Sequence, residues 1–345
     1  MSEQNKSLLA LGIPFSALVS VIFGLMILSF PIGAYVVFNS SIEDKINYDY
    51  PLTGNDVFPV DVNFEIPFEF QLGDIFIFVW CIFIILFTIA MLGPKKNFLK
   101  SLSPLMTEGK YDLNSNYLVS IVKWFSILIV ISILIDFIQE SVGVPTEPPE
   151  AKNLLLQFFD VTTAPIIEEI GFRVFLIGLP LFLVYSHKAS FLVFLKSLWN
   201  PTENLHIFET KKALILIILV GIFFGAAHIF SGEPWTGGKF AQASASGIIL
   251  GWVYLKHGLV SAILVHWSTN YFIFSYIYFL ADINEISIQN AFSHSLTNTF
   301  EILLIISGVL SIGLLLLNYL NKKKEEKIDS SMSDPQEKLD NFDVP

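Results

Sequence analysis

The sequence predicts an all-α, polytopic membrane protein of about eight transmembrane helices around a polar intramembrane cavity. Three observations carry this. The hydrophobic fraction is 53% against only 15% charged, with a mean hydropathy of +0.63, a balance found in integral membrane proteins. Apolar runs long enough to span a bilayer, about 20 residues, recur along the whole chain. The ionisable residues that interrupt them are few and clustered.

Taken in order, the predicted spans are 11–38, 73–93, 117–138, 164–186, 213–231, 241–256, 258–280 and 299–320. The first is too long for the apolar core of a signal peptide and is expected to be retained, with an interruption near Pro31-Ile32-Gly33. The segment 40–72 is acidic and is expected to face outward. The second span carries Cys81, the sole cysteine, so no internal disulfide can form; the reading is a buried, inert thiol. Thr162-Thr163-Ala164-Pro165 is expected to open the fourth span, since Thr caps helices and Pro suits a first turn. The sixth span is short, contains Gly247 and Gly251, and meets the seventh at a tight turn in Lys256-His257-Gly258. The expected organisation is an N-terminal membrane region (1–148), a core (149–281) that holds the clustered polar residues, a C-terminal span (282–321) and a disordered charged tail (322–345).

A net charge of −11 excludes a nucleic-acid binder, which needs a basic groove. The 33 Phe residues suit lipid-facing and packing surfaces and signal no cofactor. With the N-terminus inside, inner segments carry 15 lysines and outer segments three, Lys45, Lys152 and Lys239. Lysine asymmetry sets orientation, so both termini are expected to be cytoplasmic in a multi-pass protein of the cell membrane.

The only arginine, Arg173, lies inside the fourth span behind two carboxylates, in Glu168-Glu169-Ile170-Gly171-Phe172-Arg173. A charge at bilayer depth costs at least about 2.5–3.5 kcal/mol on insertion scales and is by default a functional hypothesis. Residues four apart share a helix face, so Glu169 and Arg173 are expected to pair, leaving Glu168 for chemistry. A second cluster, Phe224-Gly225-Ala226-Ala227-His228, ends the fifth span. A third, His266-Trp267-Ser268-Thr269-Asn270, lies in the seventh, with His266 and Asn270 again four apart. One membrane histidine alone is ordinarily an interhelical hydrogen bond. Three spans that each present polar groups at compatible depths point to one site. The remaining histidines, His187, His206, His257 and His294, read as solvated loop or interface residues, and Glu233-Pro234-Trp235-Thr236-Gly237-Gly238 as a turn or a gating loop.

A glutamate and two histidines have two chemical readings. In one, Glu168 with His228 activates a water that attacks a peptide carbonyl, while His266 and Asn270 donate to the oxyanion. In the other, Glu168, His228 and His266 hold zinc, which lowers the pKa of its water. No His-Glu-x-x-His pair seeds such a zinc site on one helix.

Glu-Glu-x-x-x-Arg, then Phe-x-x-x-His, then His-x-x-x-Asn, at Glu168, Glu169, Arg173, Phe224, His228, His266 and Asn270, resembles the CAAX protease and bacteriocin-processing family of intramembrane proteases, whose best-known members are type II CAAX prenyl endopeptidases. The resemblance covers roughly 150–280. It implies an eight-helix fold with a water-accessible cavity, Glu168 and His228 as the water-activating pair, His266 and Asn270 as oxyanion holders, and Glu169, Arg173 and Phe224 as structural support. It favours metal-independent hydrolysis, with zinc the alternative, and a membrane-associated protein or peptide as substrate. It does not carry over the substrate's identity, lipidation or the oligomeric state. The eukaryotic members act on the cytosolic side, whereas the lysine count puts Glu168 and His228 nearer the outer face. The rival classes are a proton-coupled transporter using the same residues as a relay and a catalytically silent scaffold. A transporter is expected to show inverted repeats, and none stands out.

Overall fold

The computed structural model describes residues 3–39, 47–51, 70–110, 115–144, 146, 153–186, 190–205, 207, 210–230 and 237–333. Most of the acidic 40–72 segment, His187, His206 and residues 231–236 of the expected gating loop lie outside these. The described residues are helical, with no strand among them. Among the described residues six stretches are long and apolar enough to cross a membrane: Lys6–Phe38, Leu72–Leu92, Tyr117–Ser141, Thr210–Phe230, Lys239–Ile283 and Ser295–Asn321. The protein is an integral, multi-pass membrane protein.

Helix α1 (Glu3–Phe38) runs through Pro14 and Pro31 without the expected interruption. A proline frees backbone carbonyls, which neighbouring helices satisfy in membrane proteins. Independently of the prolines, Tyr271 and Tyr276 tie α1 to the core by donating their hydroxyls to Ser29 O (3.1 Å) and Leu25 O (2.9 Å). Helix α2 (Leu72–Leu92) buries one stripe, from Leu72 to Ala90. Cys81 falls on the opposite face and is exposed, contrary to the expectation of a buried thiol. Apolar sequence shows that a helix is in lipid, but not which side faces it. After the short α3 (Phe98–Glu108), Asn116 joins the next elements: its Nδ2 donates to Met91 O, Gly93 O and Lys96 O, while its Oδ1 caps α4 (Tyr117–Ser141) at Val119 N.

The element bearing the acidic motif starts earlier than expected. Helix α5 (Leu154–Glu168) opens at Asn153, whose side chain accepts from Leu156 N at 2.8 Å. Thr162 and Thr163 are mid-helix and donate back to Phe158 O and Phe159 O; Pro165 is inside the helix. A capping asparagine upstream outcompetes the threonines, which can satisfy their hydroxyls within the helix. The chain continues into a π-helical stretch (Glu169–Gly178) and then α6 (Leu179–Tyr185). Short helices α7 (Phe191–Trp199) and α8 (Pro201–Asn204) follow, then α9 (Thr210–Phe230).

Helix α10 (Lys239–Trp267) contains Gly258 at φ 78°, ψ 178°, which no helix accommodates. The 45-residue stretch Lys239–Ile283 is therefore two legs meeting at the Lys256-His257-Gly258 turn read in the sequence. The second leg passes through a π-helical turn (Ser268–Phe272) into α11 (Ile273–Ile283). Helix α12 (Ile288–Phe292) precedes α13 (Ser295–Ser333), which stays helical beyond Asn321, so the first part of the expected disordered tail is helix.

Helices α9 and α10 approach back to back. Each carries a Gly-x-x-x-Gly pair, Gly221/Gly225 and Gly247/Gly251. A Cβ on Gly247 would lie 2.9 Å from Gly221 Cα. Small residues at this spacing let membrane helices pack closely, and here they bring the His228 helix onto the core. Gly247→Val is expected to separate the two helices, destabilise the protein by about 1–3 kcal/mol, the usual cost of overpacking, and displace His228. Thermal unfolding of the purified variant measures the first effect.

Candidate active site

The two glutamates straddle the junction where α-helix becomes π-helix, and they part company there. Glu169 is fully buried, while the Glu168 side chain is 30% exposed. Glu169 Oε2 accepts from Arg173 Nε at 2.9 Å. Its other oxygen, Oε1, lies 3.0 Å from His266 Nδ1. A carboxylate can only accept, so His266 Nδ1 carries the proton, and the ring turns Nε2 inward. That nitrogen sits 3.8 Å from Glu168 Oε2 and 3.4 Å from Asn270 Nδ2.

On α9, His228 Nδ1 donates to Phe224 O at 2.9 Å, so in the neutral ring Nε2 is the acceptor. The Phe224 ring is the hub of the cluster. It lies 4.6 Å from the His228 ring, 6.0 Å from the His266 ring and 4.9 Å from the Phe172 ring. The Arg173 guanidinium sits over it at 5.0 Å, a cation–π geometry that partly compensates a cation whose Nη1 and Nη2 make no hydrogen bond among the described residues. His228 lies within electrostatic range of Glu168, His266 and Lys239.

Every sequence-selected residue is thus in one cluster drawn from three segments. The expected Glu169–Arg173 pair forms. Two features were missed. Glu169 also orients His266, a contact between residues 97 apart in sequence that no local spacing reveals. Both motifs also adjoin π-helical stretches, Glu169–Gly178 and Ser268–Phe272, which recur at functional sites. A polar network that was not foreseen also ties α4 to the start of α10: Asp136 accepts from Gln242 (3.0 Å) and Thr146 (3.1 Å), and Lys239 donates to Gln242 Oε1 at 2.7 Å.

His266 is held from behind by aromatic packing. Trp267 is fully buried and stacks with Tyr271 (5.1 Å) and Phe30 (5.5 Å). His257, expected to be solvated, is only 7% exposed and accepts from Trp124 Nε1 at 3.3 Å. It takes no part in this cluster.

Residues 150–272 match the family model described as type II CAAX prenyl endopeptidase Rce1-like. This stretch of the chain is similar to the type II CAAX prenyl endopeptidases. The matched segment holds all seven clustered residues and lies within the 149–281 core expected from sequence. No curated protein and no solved structure matches the chain.

The second ring nitrogens of both histidines are engaged in this core. A ligating histidine commonly gives its second ring N–H to a carboxylate or carbonyl, and His266 and His228 both do so. Yet among the described residues no three His, Cys, Asp or Glu side chains group as they would around a metal.

Proposed function

We propose that the protein is an endopeptidase that cleaves a membrane-associated protein or peptide with a water activated by Glu168 and His228. The observation that carries the reading is the division between the carboxylates. Glu169 spends both oxygens on Arg173 and His266. Glu168 keeps a buried Oε2 that accepts no hydrogen bond, beside a histidine Nε2.

In this reading Glu168 removes a proton from water as it attacks the scissile carbonyl, and His228 Nε2, with its lone pair free, accepts from the same water. Nδ1 of His228 stays bonded to Phe224 O, which fixes the ring's direction. The tetrahedral oxygen forms beside Asn270 Nδ2 and His266 Nε2. As a donor His266 works doubly protonated, with Glu169 at 3.0 Å and Glu168 at 3.8 Å flanking it. One well-placed donor of this kind is typically worth about 2.7–4 kcal/mol in the transition state. The proton on Glu168 then passes to the leaving amine, so no external reactant beyond water is consumed.

Membranes from cells producing the wild-type protein or His228→Ala should differ in their population of cleaved protein termini. Identical termini in the two would remove the protease reading and favour the relay or scaffold. The mechanism is proposed to be metal-independent. Activity of the purified protein should survive exhaustive chelation unchanged; loss that is restored by added zinc would favour the metal version. The lysine asymmetry supports cytoplasmic termini in the cell membrane, and a protease-accessible tag at either end on intact cells would reverse that assignment.

A further inference from the structure

The first leg of α10 has a second polar cluster at the end remote from His228, about 27 Å along the helix at 1.5 Å per residue. Its centre is Lys123, which is 1% exposed. Among the described residues its ammonium has no hydrogen bond and no carboxylate partner. It lies 5.5 Å from the centre of the Trp124 ring. Lys256, on the facing helix, sits over Trp252 at 5.1 Å. Both ammonium groups are within electrostatic range of His257, which accepts from Trp124. Asn200, buried against the Gly258 turn, has an Oδ1 without a partner. Glu203 acts on Tyr117 at this end but forms no ion pair with either lysine.

A buried charge is retained when something pairs with it. Two lysines lie near His257 here, and no acid among the described residues pairs with them. We propose that the polar cluster between α4, the Gly258 turn and α7 binds the phosphate of an anionic phospholipid headgroup, with Lys123 as the buried cation and Lys256 as the outer one.

The depth favours a lipid over a free anion. Trp124, Trp199 and Trp252 gather at this level, and such aromatics mark the headgroup interface. Helix α7, which leads into Asn200, exposes Phe191 (73%), Leu192 (60%) and Trp199 (45%), a face suited to the acyl boundary. Basic pockets between spans are a recurrent mode of headgroup recognition. This polar cluster shares no residue with the catalytic cluster, so this inference stands apart from the protease reading.

The test uses the full chain in nanodiscs. Native mass spectrometry of wild type should retain phosphatidylglycerol after delipidation in preference to phosphatidylcholine, and phosphatidylglycerol should raise its melting temperature. Lys123→Met should lose both effects yet fold in phosphatidylcholine, melting at or above wild type there because an uncompensated buried charge is gone. Lys123→Arg should restore lipid retention. If Lys123→Met keeps the lipid preference, the site is wrong. If inorganic phosphate in phosphatidylcholine discs reproduces the full thermal shift, the ligand is a free anion and the lipid assignment fails. Should Lys123→Met not fold, Lys256→Gln provides the second arm, and an undiminished lipid preference in it would equally overturn the proposal.

Discussion

Glu168→Gln is expected to abolish turnover while leaving the fold intact. The amide keeps the shape of the side chain but cannot take a proton from water. Loss of a positioned general base typically costs about 10²–10⁴-fold, or roughly 3–5 kcal/mol of barrier. Stability should change little, because the side chain is partly exposed and its Oε2 accepts no hydrogen bond. The measurement pairs a cleavage assay with a melting curve on the same preparation. A variant that melts like wild type and still cleaves at the wild-type rate would show that Glu168 is not the base.

Arg173→Ala is expected to produce the largest loss of stability of any single change in the core. It leaves the fully buried Glu169 carboxylate without its cation. Breaking such a pair from one side costs about 3–5 kcal/mol, whereas replacing both partners by apolar residues is often neutral or better. The double variant Glu169→Met/Arg173→Met should therefore recover much of the lost melting temperature. It should not recover cleavage, since His266 has lost the carboxylate that fixes its proton and orientation. Arg173→Lys should fall between, because an ammonium reproduces neither the Nε geometry nor the flat stacking on Phe224. Recovery of activity together with stability in the double variant would mean that Glu169 is a packing element only.

The helical membrane fold was legible because burial in lipid writes itself into long apolar runs. The Glu169–Arg173 pair was legible because four-residue spacing fixes a local neighbour. What failed has a common cause: it depends on partners distant in sequence. The true start of α5 at Asn153 was hidden because Thr162 and Pro165 carry the same propensities in a first turn as they show here inside the helix. His257 read as a solvated loop or interface residue, and only the fold of α4 against the Gly258 turn buries it. Cys81 was assigned to the wrong face because a nearly uniform apolar helix contains no record of which side meets protein.

The π-helical stretch from Glu169 to Gly178 has a consequence for register. A π turn closes i→i+5 rather than i→i+4, so it accommodates an extra residue per turn. At its far end Ile177 and Gly178 meet Gly251 and Tyr254 on α10, while at its start Glu169 meets His266. Removing one residue between Arg173 and Ile177 would let the stretch relax to ordinary helix and turn one of those contact sets away from its partner. The chain length between the motif and Gly178 is thus itself part of the site: tolerance of substitution there need not extend to tolerance of deletion.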